Sequence, residues 1–224
     1  MASAASGLFA APAENQLTAE DKAAGWRLLF DGTTLAGWRG YGLPGLPAAG
    51  WEIRDGLLKT VPGVRGTELI TTDKFTDFEF SWEWRIAEGG NNGVKYFVTE
   101  ARRSAPGHEY QMIDDARHPD GRRGPLYQTA AFYDVLIPAA DKPLRQPGEW
   151  NVSRLVVRGN RVEHWLNGRN VLSYEAGSDE VKAGVARSKF KDQPGFGDKI
   201  TGHLMLTYHA DECWFRNLRI RELK

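Results

Sequence analysis

From Phe78 to Ile86 the chain alternates without a break. Phe80, Trp82, Trp84 and Ile86 are apolar, and Glu79, Ser81, Glu83 and Arg85 stand between them. A period of two marks a strand with one face on a core and the other in water. The same reading makes strands of 67–71, 93–99 and 108–113, and of NVSRLVVRG, RVEHWLNG and NVLSYE further on. WEIRDGLLKT, from Trp51, is a hairpin through Asp55-Gly56, and Asn167-Gly168 makes a second tight turn. HLMLTYHA and ECWFRNLRIREL close the chain as two more strands. Helical signals are few: 18–24, with Thr18 as cap and Gly25 as stop, and 179–188, capped by Ser178. Strands separated by Gly, Asn and Asp turns, with almost no helix, predict a two-sheet antiparallel sandwich. No linker or repeat divides it. Residues 18–224 are therefore read as one domain, and 1–17 as a leader remnant or flexible N-terminus.

Composition narrows the partners. The 224 residues are 41% hydrophobic with eight Trp, enough for a sizeable core. The 29 basic and 29 acidic residues cancel, which argues against nucleic acid or an anionic membrane as the main partner. No apolar run reaches the roughly 18 residues that span a bilayer. Cys213 stands alone in an apolar strand and reads as core packing, with no disulfide framework or cysteine zinc site. MASAASGLFAAPAENQ is Ala-rich but lacks a basic start, which suits an exported protein whose leader is incomplete.

Candidate chemistry concentrates in HEYQMIDDARHP, from His108 to Pro119. As a strand it puts Glu109 and Gln111 on one face with Ile113, and His108, Tyr110 and Met112 on the other. A carboxylate and an amide projecting together suit a polyhydroxylated ligand. Alternation adds Glu83 and Arg85 from one strand and Lys95 from the next. Thr207, His209 and Asp211 come from the strand near the C-terminus. All are expected to line one face. In YHAD, Asp211 stands close enough to set the tautomer of His209 or raise its pKa. Asp114 and His118 follow the Glu109 strand as further candidates. His164 shares a face with Val162 and Leu166, a core or cleft-edge position, and is carried among the substrate-binding candidates. No cofactor is required by any motif, and no HExxH, paired CxxC or EF-hand appears. A calcium held by Asp114, Asp115 and carbonyls stays an open alternative. Asn151-Val152-Ser153 matches a glycosylation sequon, and Trp38 and Trp51 are candidates for stacking on a sugar as well as for the core.

LFDGTTLAGW, WEIRDGLL, DFEFSWEWRIAEGGNNGVKYFV, HEYQMIDDARHPD, GEWNVSRLVVRGNRVEHWLNG, SKFKDQPGFGDKITGH and WFRNLRIREL occur in that order over residues 25–223. In these motifs the chain resembles the 3-keto-disaccharide hydrolase family, a former domain of unknown function. The resemblance implies a concanavalin A-like jelly roll with one or two short helices. It also implies cleavage of 3-keto-glycosides by C2 proton abstraction, elimination and hydration, downstream of a sugar 3-dehydrogenase. Lys95, Glu109 and His209 become the catalytic candidates. Lys95 or Arg85 would hold the enolate, and Glu109 or His209 would act as base. Glu83, Arg85, Gln111, Asp114, His118, His164 and Asp211 become the substrate contacts. The family's LQDHGDxVWFRN reads LTYHADECWFRN here, with Thr207, Tyr208 and Ala210 replacing Gln, Asp and Gly. That departure keeps two other readings open: a non-catalytic carbohydrate-binding module, and a conventional glucan hydrolase on the same fold.

Overall fold

The computed structural model describes residues 14–64, 67–102 and 106–224. The greater part of the expected leader, residues 1–13, lies outside the described residues. Glu14 to Leu17 belong to the domain. Asn15 and Asn217 exchange bonds, each backbone N–H donating to the other's side-chain oxygen at 2.6 and 2.9 Å. The folded chain thus starts by residue 14 rather than 18, because an Asn with polar partners carries no apolar signal.

Thirteen strands form among the described residues: β1 (Arg27–Leu28), β2 (Trp38–Gly40), β3 (Trp51–Arg54), β4 (Leu57–Thr60), β5 (Leu69–Thr71), β6 (Phe78–Ile86), β7 (Asn91–Val98), β8 (His108–Ile113), β9 (Asn151–Arg158), β10 (Arg161–Leu166), β11 (Arg169–Glu175), β12 (His203–Leu206) and β13 (Cys213–Glu222). Every pairing between them is antiparallel. The larger sheet runs β11-β10-β9-β6-β13-β4-β3, with β1 also on β13, and the smaller runs β2-β5-β12-β7-β8. The two helices stand where they were expected, α1 at Ala19–Ala23 and α2 at Asp179–Arg187. Thr18 and Asp21 close a capping box on α1, and Ser178 accepts from Val181 N on α2. The β3–β4 turn holds Asp55 at φ 51° and Gly56 at φ 75°, the left-handed pair a two-residue hairpin needs.

The core lies between the sheets. Phe80, Trp82 and Trp84 point inward from β6 and are wholly buried, as are Tyr96 of β7 and Tyr110 and Met112 of β8. The rings of Trp82 and Tyr110 meet edge-on at 5.1 Å, and the Trp82 indole donates to Met112 Sδ at 3.3 Å. Each such ring contributes about 1.5–3 kcal/mol by leaving water. Trp38 is core, its indole donating to Leu29 O, and Trp51 packs on Phe215 and Tyr208 with its indole on Thr67 O. Asn151 is buried and accepts from Arg145 N and Asn167 Nδ2, so the sequon is structural.

Two consecutive strands belong to different sheets. β6 pairs with β9 and β13, whereas β7 pairs with β8 and β12. The polar row of β6 therefore faces away from the site strands, on the far side of the sandwich. Alternation tells which residues face out but not out of which sheet.

Candidate active site

The site is built on the outer face of the smaller sheet. With Tyr96, Tyr110 and Met112 drawn into the core, the pleat turns Lys95, Glu109 and Gln111 outward. Lys95 pairs with Glu109 and Gly93 with Gln111 across the β7–β8 ladder. Lys95 Nζ lies 3.5 Å from Glu109 Oε2, and both side chains are largely enclosed. Strand β8 stands at the sheet edge, yet all six of its residues are buried. The chain at 130–133 covers that edge, with Ala130 N donating to Gln111 O, Gln111 N to Ala131 O, and Tyr133 N to Glu109 O.

His209 reaches the same face from the other side of β7. Strand β12 ends at Leu206, and Thr207 N donates to Gly93 O at 3.0 Å. Ala210 then sits at φ 61°, a left-handed conformation that L-residues rarely hold, in the position where the family pattern has Gly. The turn separates His209 from Asp211. Asp211 Oδ2 accepts from Asn91 N at 2.9 Å, and its carbonyl accepts from Thr60 Oγ1. Asp211 thus anchors the start of β7 and makes no hydrogen bond to His209, whose pKa it raises only through its charge. His209 is an exposed residue overall, and its ring has no hydrogen-bond partner among the described residues. The protein around it pushes its pKa below the usual imidazole value, against the pull of Glu109 and with the help of Lys95. A neutral imidazole beside a carboxylate and an ammonium can accept a proton.

The remaining candidates divide. Gln111 lies beneath the covering loop, its Nε2 donating to Tyr127 O at 3.5 Å while its Oε1 is buried without a partner among the described residues. Asp114 is buried and shapes the loop after β8. Desolvation raises its pKa, but donation from the N–H groups of Gly89, Arg117 and Ala116 outweighs that and holds the carboxyl below its usual value. His118 Nδ1 accepts from Asp120 N within the same loop. Asp115 accepts from Thr129 N and pairs with Lys142 at 2.9 Å. Among the described residues no three His, Cys, Asp or Glu side chains gather as metal ligands would.

Three assignments are corrected. Glu83 sits on the outer face of the larger sheet, bonded to Arg216 Nε and Asn217 Nδ2, both at 2.8 Å. Arg85 is on that same face, stacked over Trp214 at 4.4 Å and Trp150 at 5.1 Å. Neither can touch a ligand on Lys95 and Glu109. His164 is buried in the core between Tyr96 Oη and Ala130 O, where burial drives its pKa down to about 4. Its parity with Val162 and Leu166 already pointed inward.

Tyr133 and Asp120 were missed. Tyr133 Oη donates to Asp120, and burial followed by that carboxylate raises the phenol's pKa. Glu109 is among the charges it feels, which puts the pair on the β8 side of the site. Both lie in the long stretch between β8 and β9, which has no period; the dense run AAFYDV holds Tyr133 only, and nothing in the sequence singled out Asp120.

Fold and site together define a jelly-roll protein of the glycoside-hydrolase type. The chain belongs to the 3-keto-alpha-glucoside-1,2-lyase-like domain family, whose model matches residues 25–221. It is 33% identical over 232 residues to the 3-keto-disaccharide hydrolase of Bacteroides thetaiotaomicron, covering 89% of this chain and 79% of that relative. Among solved structures it resembles a putative glycosyl hydrolase from Parabacteroides distasonis. That match has a TM-score of 0.84 at 33% identity and covers 94% of this chain and 100% of the other. A Bacillus licheniformis β-glucanase shares the fold at TM-score 0.50 and 8% identity, covering 89% and 97% of the two chains.

Proposed function

We propose that the protein cleaves 3-keto-glycosides by elimination and hydration on the outer face of the smaller sheet. One observation carries the reading: Lys95, Glu109 and the unengaged His209 converge there from three separate segments. A ketone at C3 acidifies the proton at C2. Glu109 removes that proton, and the Lys95 ammonium holds the charge that grows on the C3 oxygen. The C1–oxygen bond then breaks, and the abstracted proton leaves with the departing alcohol. Water adds across the resulting enone with neutral His209 as its base, so that its oxygen ends on C1 and its second hydrogen on C2. The family membership and the likeness to the Bacteroides 3-keto-disaccharide hydrolase support this reading. Its natural setting is the cell envelope, downstream of an oxidoreductase that makes the 3-keto sugar. Among the described residues no helix is long and apolar enough to cross a membrane.

A conventional two-carboxylate glycosidase needs its pair about 5–9 Å apart astride the bond. The pairing of Glu83 with Glu109 is ruled out by their places on opposite faces of the sandwich. A binding-only module draws on Tyr208, whose hydroxyl is committed to the carbonyls of Val61 and Val64 rather than to the site. Incubation with a glucoside and, separately, its 3-keto derivative decides among the three. Turnover of the keto form alone is expected. Turnover of the plain glycoside, or binding with no turnover of either, overturns the reading.

A further inference from the structure

Strand β7 carries a glycine at its third residue, where a side chain would ordinarily pack. Gly93 does not need to be glycine for its backbone, since its φ is not in the left-handed region. It needs to be glycine for what lies over it. A Cβ built at position 93 would stand 2.4 Å from Glu109 Oε1 and 3.2 Å from both Cδ and Cγ of that residue. The Glu109 carboxylate thus rests in the notch left by the missing side chain, with Oε2 reaching Lys95 on one side. The carbonyl of the same Gly93 accepts the Thr207 N–H that starts the His209 segment. One residue therefore joins the two halves of the site. A glycine within a strand commonly marks such a close approach.

We propose that Gly93 is a positioning residue, whose notch seats the Glu109 carboxylate between Lys95 and His209 in the geometry that proton abstraction requires. This rests on the reading that Glu109 and His209 act on substrate. The atoms a methyl would meet are the far end of a flexible chain, so the fold accommodates Gly93→Ala and the carboxylate gives way. A shift of about 1 Å in a reacting group costs on the order of 10²-fold in rate.

Two measurements on Gly93→Ala test it. Turnover of a 3-keto-glucoside is expected to fall about 100-fold with an unchanged or higher melting temperature. In NMR titration, the His209 pKa is expected to move down, in the direction expected for Glu109→Gln. Glu109 is the charge that raises it most, with Glu68 and Asp211 raising it less and Lys95 opposing them. Turnover within about threefold of wild type, or an unmoved His209 titration, overturns the proposal. If the methyl disrupts folding, Glu109→Asp withdraws the carboxylate from the notch by one methylene. It must then lower the His209 pKa and the rate together, and failure of either overturns the proposal. The titration needs no substrate, so a protein inactive on 3-keto sugars would sink the functional reading while the NMR result still decides the notch.

Discussion

Tyr96 and His164 meet between the sheets, the phenol oxygen 2.8 Å from the imidazole Nε2. That contact sets the direction of a whole chain of donors. The Ala130 carbonyl can only accept, so His164 Nδ1 carries its proton and Nε2 accepts from Tyr96. The oxygen of Tyr96 then accepts from Tyr174, whose oxygen accepts from His108 Nδ1. Nε2 of His108 is left as a buried acceptor without a partner among the described residues. Both histidines are neutral tautomers: a proton on His164 Nε2 would break the chain, and one on His108 Nε2 would place a charge in the core with no partner for it among the described residues.

Acid should therefore weaken the protein well above the carboxylate range. Burial lowers the pKa of His108 to about 3 and of His164 to about 4. The unfolded chain, with imidazoles near 6.5, then binds more protons below that pH. Stability is fully present above about pH 6.5 and falls as pH drops toward the folded values. The loss is about 1.4 kcal/mol per pH unit per histidine, or about 2 kcal/mol each at pH 5. Asp31 and Glu100, held at about 2 by the Thr33 amide and by Arg39, lose their contributions only at lower pH. Urea unfolding at pH 7.5 and 5.0 measures the difference. Equal midpoints would refute the neutral chain.

Glu109→Gln should lower turnover of a 3-keto-glucoside by about 10²–10⁴-fold, the usual cost of a lost general base. Gln keeps the volume and reach but accepts no proton. The ion pair with Lys95 at 3.5 Å is long, so stability should change by under about 1 kcal/mol. Steady-state kinetics beside thermal unfolding separates the two effects. A variant keeping more than about a tenth of the activity would move the base to His209.

Arg85→Ala should do the reverse. It removes a cation stacked on Trp150 and Trp214 on the far face, each contact worth about 0.5–1 kcal/mol. Stability falls by about 1–2 kcal/mol and turnover stays within about twofold. A large fall in rate without a fall in stability would return Arg85 to the active site.

Tyr208→Phe tests the departure from the family pattern. The single hydroxyl proton is shared between Val61 O and Val64 O, at 2.7 and 2.8 Å, tying the segment after β4 to the segment that carries His209. Its loss should cost about 1 kcal/mol, read from denaturant midpoints. An unchanged midpoint would show that these bonds are exchanged for water without loss.

The faces of β6 and β8 were legible because an uninterrupted alternation leaves one choice of parity. Glu109 and Gln111 were placed outward, and Trp82 and Trp84 inward, from period alone. The sheet to which each strand belongs was not legible. That is decided by pairings of β6 with Asn151 to Val157 and with Cys213 to Glu222, far away in sequence. The row containing Glu83 and Arg85 would read the same on either sheet. His209 and Asp211 look like a pair because they are two residues apart. The left-handed Ala210 bends the chain between them, a conformation no propensity assigns to alanine. Nothing in the sequence distinguishes Gly93, since its meaning depends on a side chain from the neighbouring strand.

The covering of β8 by residues 130–133 also bears on how a ligand is received. The strand that carries Glu109 and Gln111 is bonded along both edges, to β7 on one side and to the loop on the other. A site on a free edge would have to stiffen at each encounter, at an entropic penalty set against affinity. Here that ordering is completed when the chain folds, and the arriving molecule meets a wall already rigid. The backbone N–H groups of Gln111 and Tyr133 should accordingly exchange with solvent as slowly as those of the core, and binding should slow them little further.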